Sequence, residues 1–295
     1  MMRLFTTIVL MVSLTACQSK KDVLGTEKNP IKFQLVPSVD AKVLADNAEV
    51  LKQYLEKNTP YKYQITIPQS FVAVVEAFGT KRADVAAINT YGYYMAHEKY
   101  GVEARLTVIR FGLATYQSQF LARADSKIKT LKDLTGKKMA FVDPASTSGY
   151  LLPMKTLKDR HIEPKQTVFA MKHDSVISMI YQRQVDAGAT YYSPPRNGHI
   201  EDARRLVKIQ YPDVEEKIKI IELSEPIPND PIVFRKDMPE EMKDVIINAL
   251  LKFVATPDGQ KAVDLMLGAT NFKKSSDGDY DSVREMLKTL AQEVK

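Results

Sequence analysis

Tryptophan is absent from the 295 residues, and cysteine occurs once, at Cys17. A lone cysteine excludes an internal disulfide. Histidine is nearly as scarce: His97, His161, His173 and His199 lack any metal-ligand spacing, and no second thiol assists them. The signatures G-x-S-x-G, H-E-x-x-H, G-x-x-x-x-G-K-[ST] and G-x-G-x-x-G are missing as well, which removes the common catalytic and nucleotide-binding routes. No residue pattern calls for a cofactor. Strong charge of one sign is also missing. The formal excess of +6 is spread among interspersed acids and bases, which favours small anions but gives no basic stripe for nucleic acid. No low-complexity block or long repeat interrupts the chain.

What is present begins at the N-terminus. Met1 to Arg3 is a short basic start, Leu4 to Leu14 is mostly apolar, and Leu14-Thr15-Ala16-Cys17 closes the stretch. This run is too short for a permanent bilayer span and suits a signal-peptide core. A small residue followed by Cys resembles the bacterial lipobox, so residues 1–16 read as a lipoprotein signal peptide and Cys17 as the lipidation site. Residues 17–30 have no apolar period and read as a flexible tether.

From Ile31 onward, short apolar runs alternate with amphipathic stretches, the α/β pattern. Strands are expected at Ile31–Val36, Tyr63–Ile67, Val85–Ile88, Ser118–Ala122, Met139–Val142, Gln166–Phe169, Ala187–Tyr191, Ile218–Leu223 and Ile232–Phe234. Leu44, Ala48, Leu51 and Leu55 recur at helical spacing. Other helices are expected over Ser70–Phe78, Ser148–Arg160, Ser175–Gln182 and most of the chain after Pro239, with Gly79 and Gly101 as stops. The C-terminal helices have too few strands to stand alone. The reading is therefore two lobes, 31–120 with 226–295 and 121–225, joined by two chain crossings with a ligand cleft between them.

The stretch FVDPASTSGY, 141–150, carries the chemistry. Phe141-Val142 ends a strand, a helix follows, and Ser146, Thr147 and Ser148 fall at its N-terminus. Unpaired backbone N–H groups and the helix dipole attract an anion there. One hydroxyl suffices as a cap. Three hydroxyls beside several N–H groups suit either surplus capping or a tetrahedral oxyanion held without fixed positive charge.

LKDLTGKKMAFVDPASTSGYLLP (131–153) resembles the central signature of the phosphate/phosphite/phosphonate-binding proteins of bacterial ABC transporters. FVAVVEAFGTKRADVAAINT (71–90), HDSVISMIYQRQVDAGAT (173–190) and EPIPNDPIVFRKDMPEE (225–241) match further segments of that family in order. The resemblance implies a type II-like two-lobed periplasmic-binding-protein fold. It further implies capture of an oxyanion by lobe closure and delivery to an ABC permease and its ATPase, with the membrane touched only through the lipid anchor. By the same resemblance the trio 146–148 holds the ligand oxygens, and Tyr116, His173 and Asp230 are ligand-side contacts.

Asp230 beside an anion requires a proton on one of the two. A monoprotonated phosphate, phosphite or phosphonate supplies it and ionised sulfate does not, so sulfate should be rejected. Two positions depart from the family pattern. Phe71 replaces a ligand-contacting tyrosine, and Ser193 stands where an aminoalkylphosphonate binder carries an acid, which argues against 2-aminoethylphosphonate. A periplasmic sensing module, or a binder of a different small organic anion on the same fold, are the alternative readings.

Overall fold

The computed structural model describes residues 23–281 together with 284, 287 and 288. The signal peptide and Cys17 lie outside the described residues, as does most of the expected apolar stripe Val283, Met286, Leu287 and Leu290; Leu287 is described and buried.

In chain order the first elements are β1 (Ile31–Leu35), α1 (Ala41–Asn58), β2 (Tyr63–Thr66), α2 (Phe71–Gly79), β3 (Val85–Ala87), α3 (Thr90–Tyr100), β4 (Glu103–Ile109) and β5 (Thr115–Arg123). The middle contains β6 (Lys138–Phe141), α4 (Leu152–Asp159), β7 (Gln166–Phe169), α5 (His173–Tyr181), β8 (Ala187–Tyr192), α6 (Val214–Lys217), β9 (Ile218–Leu223) and β10 (Ile227–Pro228). The chain ends with β11 (Pro231–Phe234), α7 (Glu240–Phe253), α8 (Pro257–Leu267) and β12 (Asn271–Lys274).

Two mixed sheets form two lobes. The first runs β12-β4-β11-β3-β1-β2, with β1 parallel to β2 and β3 and the later strands antiparallel. The second runs β10-β5-β8-β6-β7, and β9 also pairs with β5. Helix α1 shows how sequence dictates position. Asp40 caps it by accepting from the N–H groups of Lys42 and Val43, and its buried residues are the predicted Leu44, Ala48, Leu51 and Leu55. Gly101 ends α3 in the left-handed conformation at φ 63°, where a side chain would be strained.

Three expectations are corrected. The tether does not extend to residue 30: Leu24 packs on the first lobe's core and the Gly25 carbonyl accepts from the Lys62 N–H at 2.8 Å. The crossings lie nearer the ends of β4 and β10 than the expected boundaries at 120/121 and 225/226. Residues 115–120 and 227–228 belong to the second sheet, because β5 pairs with β8 along its length and with β10 at its start. Strands β4, β10 and β12 and the short helix α6 are additional to the predicted elements, and α3 is the helix that the Gly101 stop implied.

Asn229 joins the two crossings and is fully buried. Its backbone N–H donates to Ala114, and its side-chain amide donates to the carbonyls of Val108 (2.9 Å) and Leu113 (2.8 Å). Its Oδ1 accepts from Arg110 at 2.9 Å. A buried amide with each group paired specifies one local arrangement.

Candidate anion-binding site

Between the lobes lies a cavity of about 60 Å³. Its polar part is lined by Ser146, Thr147, Ser148, Tyr116, His173, Asp230, Asn89, Arg110 and Arg205. Phe71, Val36, Val39, Ala87 and Val108 form part of its apolar wall. At roughly 10–15 Å³ for one water, this space holds about four to six heavy atoms.

The hydroxyl stretch does not enter an α-helix directly. Thr147–Leu151 is a π-helical turn, with the N–H groups of Leu151 and Leu152 reaching back to the carbonyls of Ser146 and Thr147. α4 begins only at Leu152. Such insertions widen the turn and are frequent at functional sites. Ser146 acts as its cap, accepting from the Gly149 N–H at 3.1 Å. Thr147 Oγ1 accepts from Asn89 Nδ2 (3.1 Å) and from the Tyr91 N–H (3.0 Å), so its own hydroxyl proton remains to be donated. The first N–H groups of the turn, at Thr147 and Ser148, have no intrahelical acceptor. Gly149 permits this shape. A Cβ there would lie 2.6 Å from Val142 Cβ and closer still to Val142 Cγ2.

Phe71 opens α2 and its N–H faces Asp143 Oδ2 at 3.5 Å, across the lobes. Burial raises the Asp143 carboxyl pKa, while N–H groups from Ala145 and Phe71 oppose the shift. His173 opens α5. Its backbone N–H donates to the Ser38 carbonyl at 3.1 Å, and its Nδ1 accepts from the Tyr191 N–H at 3.4 Å. That assignment puts the ring proton on Nε2, as a neutral donor. Burial and the nearby Arg110 guanidinium pull the imidazole pKa down to about 3.

The low value gives a testable sign. Unfolded imidazole takes up a proton near 6.5, whereas the folded one resists until about 3. Between those values the unfolded state binds more protons, so His173 costs stability as pH falls through the window, by about 1.4 kcal/mol per unit. Urea midpoints of ligand-free protein from pH 7 to 4 should therefore fall less steeply in His173→Gln. Parallel curves for the two proteins would refute the assignment.

The notion of a seat without fixed positive charge does not survive the geometry. Arg110 is 7 % exposed and lines the cavity. Its Nη2 pairs with Asp230 Oδ2 at 2.7 Å and donates to the Leu267 carbonyl at 3.1 Å. Its guanidinium carbon sits 4.9 Å from the centre of the Tyr116 ring. Burial, and then the Asp230 carboxylate, push the Tyr116 phenol pKa up, leaving it a hydroxyl donor at neutral pH. Thr90 Oγ1 donates to the Pro228 carbonyl at 2.8 Å and lies 3.5 Å from Asp230 Oδ1. With Arg205, the lining carries two guanidinium groups against one carboxylate, a balance suited to an anion.

Of the residues expected from sequence, Ser146, Thr147, Ser148, Tyr116, His173, Asp230 and Phe71 come together here. Ser193 does not line the cavity, although it is buried. β8 ends at Tyr192, so the two-residue alternation that brings Tyr191 to the wall stops before Ser193. Arg110, Arg205, Asn89 and Ser38 were missed. Arg110 had a signal: Ala104, Leu106 and Val108 alternate inward along β4, and Arg110 continues that register.

Comparison with known proteins follows the same line. Residues 33–280 match the family described as "ABC transporter, phosphonate, periplasmic substrate-binding protein". The chain belongs to this periplasmic phosphonate-binding family. Such proteins are the extracytoplasmic, substrate-binding components of ABC transporters and not enzymes. Among relatives, the phosphonates-binding periplasmic protein of Escherichia coli K12 is 26% identical over 284 residues, covering 94% of this chain and 81% of that protein. The phosphate-import protein PhnD of Mycolicibacterium smegmatis is 30% identical over 204 residues, 62% of each.

Solved structures agree in fold. A binding component of a Pseudomonas aeruginosa ABC phosphonate transporter superposes with a TM-score of 0.78 at 21% identity, covering 90% of this chain and 87% of that one. PhnD1 of Prochlorococcus marinus, solved with methylphosphonate, gives 0.75 at 18% identity, covering 88% and 98%. Among the described residues of this phosphonate-binding-family protein, no helix is long and apolar enough to cross a membrane.

Proposed function

We propose that this protein captures a small phosphorus oxyanion bearing an apolar substituent, phosphite or methylphosphonate, and delivers it to a permease driven by an ATPase. Ser146, Thr147, Ser148 and the first N–H groups of the π-helical turn take the anionic oxygens. Tyr116 and His173 Nε2 add donors from the sides. Arg110 offsets the ligand's charge and holds Asp230 to accept a ligand hydroxyl proton. Cys17 carries the lipid that keeps the protein at the membrane, and the two lobes exchange along the crossings pinned by Asn229. Sensing by a partner receptor is the alternative role for the same closed form.

One observation carries the ligand reading: a cavity of about 60 Å³ with hydroxyl donors and arginine on one part and Phe71 in its apolar wall. Phosphite and methylphosphonate fit that volume. 2-Aminoethylphosphonate is longer by a methylene and an amine, and its ammonium would meet two guanidinium groups. Phosphate fits but turns a further oxygen toward Phe71, where an unpaired polar group costs about 1–3 kcal/mol.

Titration calorimetry should rank phosphite and methylphosphonate about tenfold or more above phosphate. Sulfate, which has no proton for Asp230, should not bind measurably. Phe71→Tyr should narrow the gap to phosphate. Equal affinities for phosphate and methylphosphonate would remove the role of Phe71, and sulfate binding as tight as phosphate would remove that of Asp230.

A further inference from the structure

The last turn of α8 receives two guanidinium groups. The Leu267 carbonyl accepts from Arg110, and the Asp264 carbonyl accepts from Arg205 Nη2 at 3.1 Å. The Asp264 carboxylate also takes Arg205 in a fork, Oδ2 from Nη1 at 3.1 Å and Oδ1 from Nη2 at 3.0 Å. A helix C-terminus carries partial negative charge, so both cations lie where the dipole favours them. Gly268, at φ 59°, leaves room between them: a Cβ there would sit 3.5 Å from Arg205 Nη2 and 4.0 Å from Arg110 Nε.

The fork spans the lobes. Arg205 lies in the 3-10 turn Ala203–Val207, which packs on α5, and Asp264 lies in α8, which packs on α1. Arg205 and Tyr191 both line the anion cavity, whereas Asp264 does not. Arg205 Nε is buried without a protein partner, a donor the fold itself leaves unused. Glu201 is 3.7 Å from Nη1, one turn back on the same lobe.

We propose that Arg205 is the positioning residue that couples occupancy to closure. Its fork with Asp264 forms only when the lobes are shut, and the same guanidinium then walls the anion. An arriving anion draws Arg205 to the cavity wall, where Asp264 can take it, and release requires the fork to part first. The identity of the anion comes from the binding reading above; the clasp itself depends only on the approach of the lobes.

The test compares wild type with Asp264→Asn and Arg205→Lys. Phosphite and methylphosphonate are followed by stopped-flow, and lobe approach by small-angle scattering, at low and raised salt. In Asp264→Asn, dissociation should be about tenfold faster, equivalent to about 1.4 kcal/mol, with association little changed. Raised salt should speed dissociation in wild type more than in the variant. Arg205→Lys, which keeps the charge but loses the fork, should fall between.

A merely structural role would lower the melting temperature and leave the dissociation rate and its salt response unchanged. That outcome overturns the proposal. If neither anion binds wild type, the ligand reading has failed and scattering decides the clasp. Salt-sensitive compaction in wild type that is lost in Asp264→Asn supports it, and identical curves for the two proteins overturn it.

Discussion

Arg110→Met should abolish useful anion binding, with affinity for methylphosphonate falling by about a hundredfold or more, near 2.7 kcal/mol. The substitution removes the guanidinium that offsets the ligand's charge and leaves Asp230 facing the anion alone. It also strands the Asp230 carboxylate, which is 24% exposed as a side chain against 9% for Arg110. Breaking a buried pair costs about 3–5 kcal/mol, and the partial exposure of Asp230 places the stability loss toward the lower end. A second variant separates the two effects. Adding Asp230→Asn to Arg110→Met should recover most of the unfolding free energy while affinity stays low. Wild-type affinity in Arg110→Met would show that the cation serves the hinge and not the ligand.

Gly149→Ala should be the next most damaging change. The new methyl group meets the side chain of Val142, which is fully buried at the end of β6. Overpacking of this kind costs about 1–3 kcal/mol. The displaced element is the π-helical turn itself, so the hydroxyl seat moves with it. The anion should be lost at least tenfold more weakly held, on the order of 1.4 kcal/mol. Adding Val142→Ala removes the nearest clash, with Val142 Cγ2, but keeps the Cβ at 2.6 Å and leaves Ser146 Oγ at 2.8 Å, so it should return only part of the affinity. Calorimetry and thermal melts on the three proteins check this, and an unaffected single variant would mean the turn tolerates a side chain.

Much of the lobe architecture was legible because burial leaves a period in the sequence. The helical spacing of Leu44, Ala48, Leu51 and Leu55 is one example, and the short apolar runs at Val85 and Met139 are others. The hydroxyl trio stood out for a different reason: one hydroxyl suffices as a cap, and the family resemblance gave the other two an oxyanion to hold. The missed features are those that depend on chain crossings. β12 is short, with only Phe272 buried, and gains its place by pairing with β4. Arg205 reaches the cavity from a turn whose sequence, Asp202 to Val207, has no periodicity pointing there. Ser193 shows the opposite error, since the family resemblance placed it at the ligand but the end of β8 turned it away.

One apolar cluster contains Val36, Phe71 and Val74 from the first lobe together with Ala140, Val142 and Val176 from the second. The lobes therefore meet through a shared oily interior as well as through hydrogen bonds and the Arg205 fork. Parting them wets hydrocarbon, which raises heat capacity, and the penalty for doing so weakens as water cools. The grip on the anion is consequently tied to solvent: in the cold the protein opens more readily even though each polar contact with its ligand is unchanged.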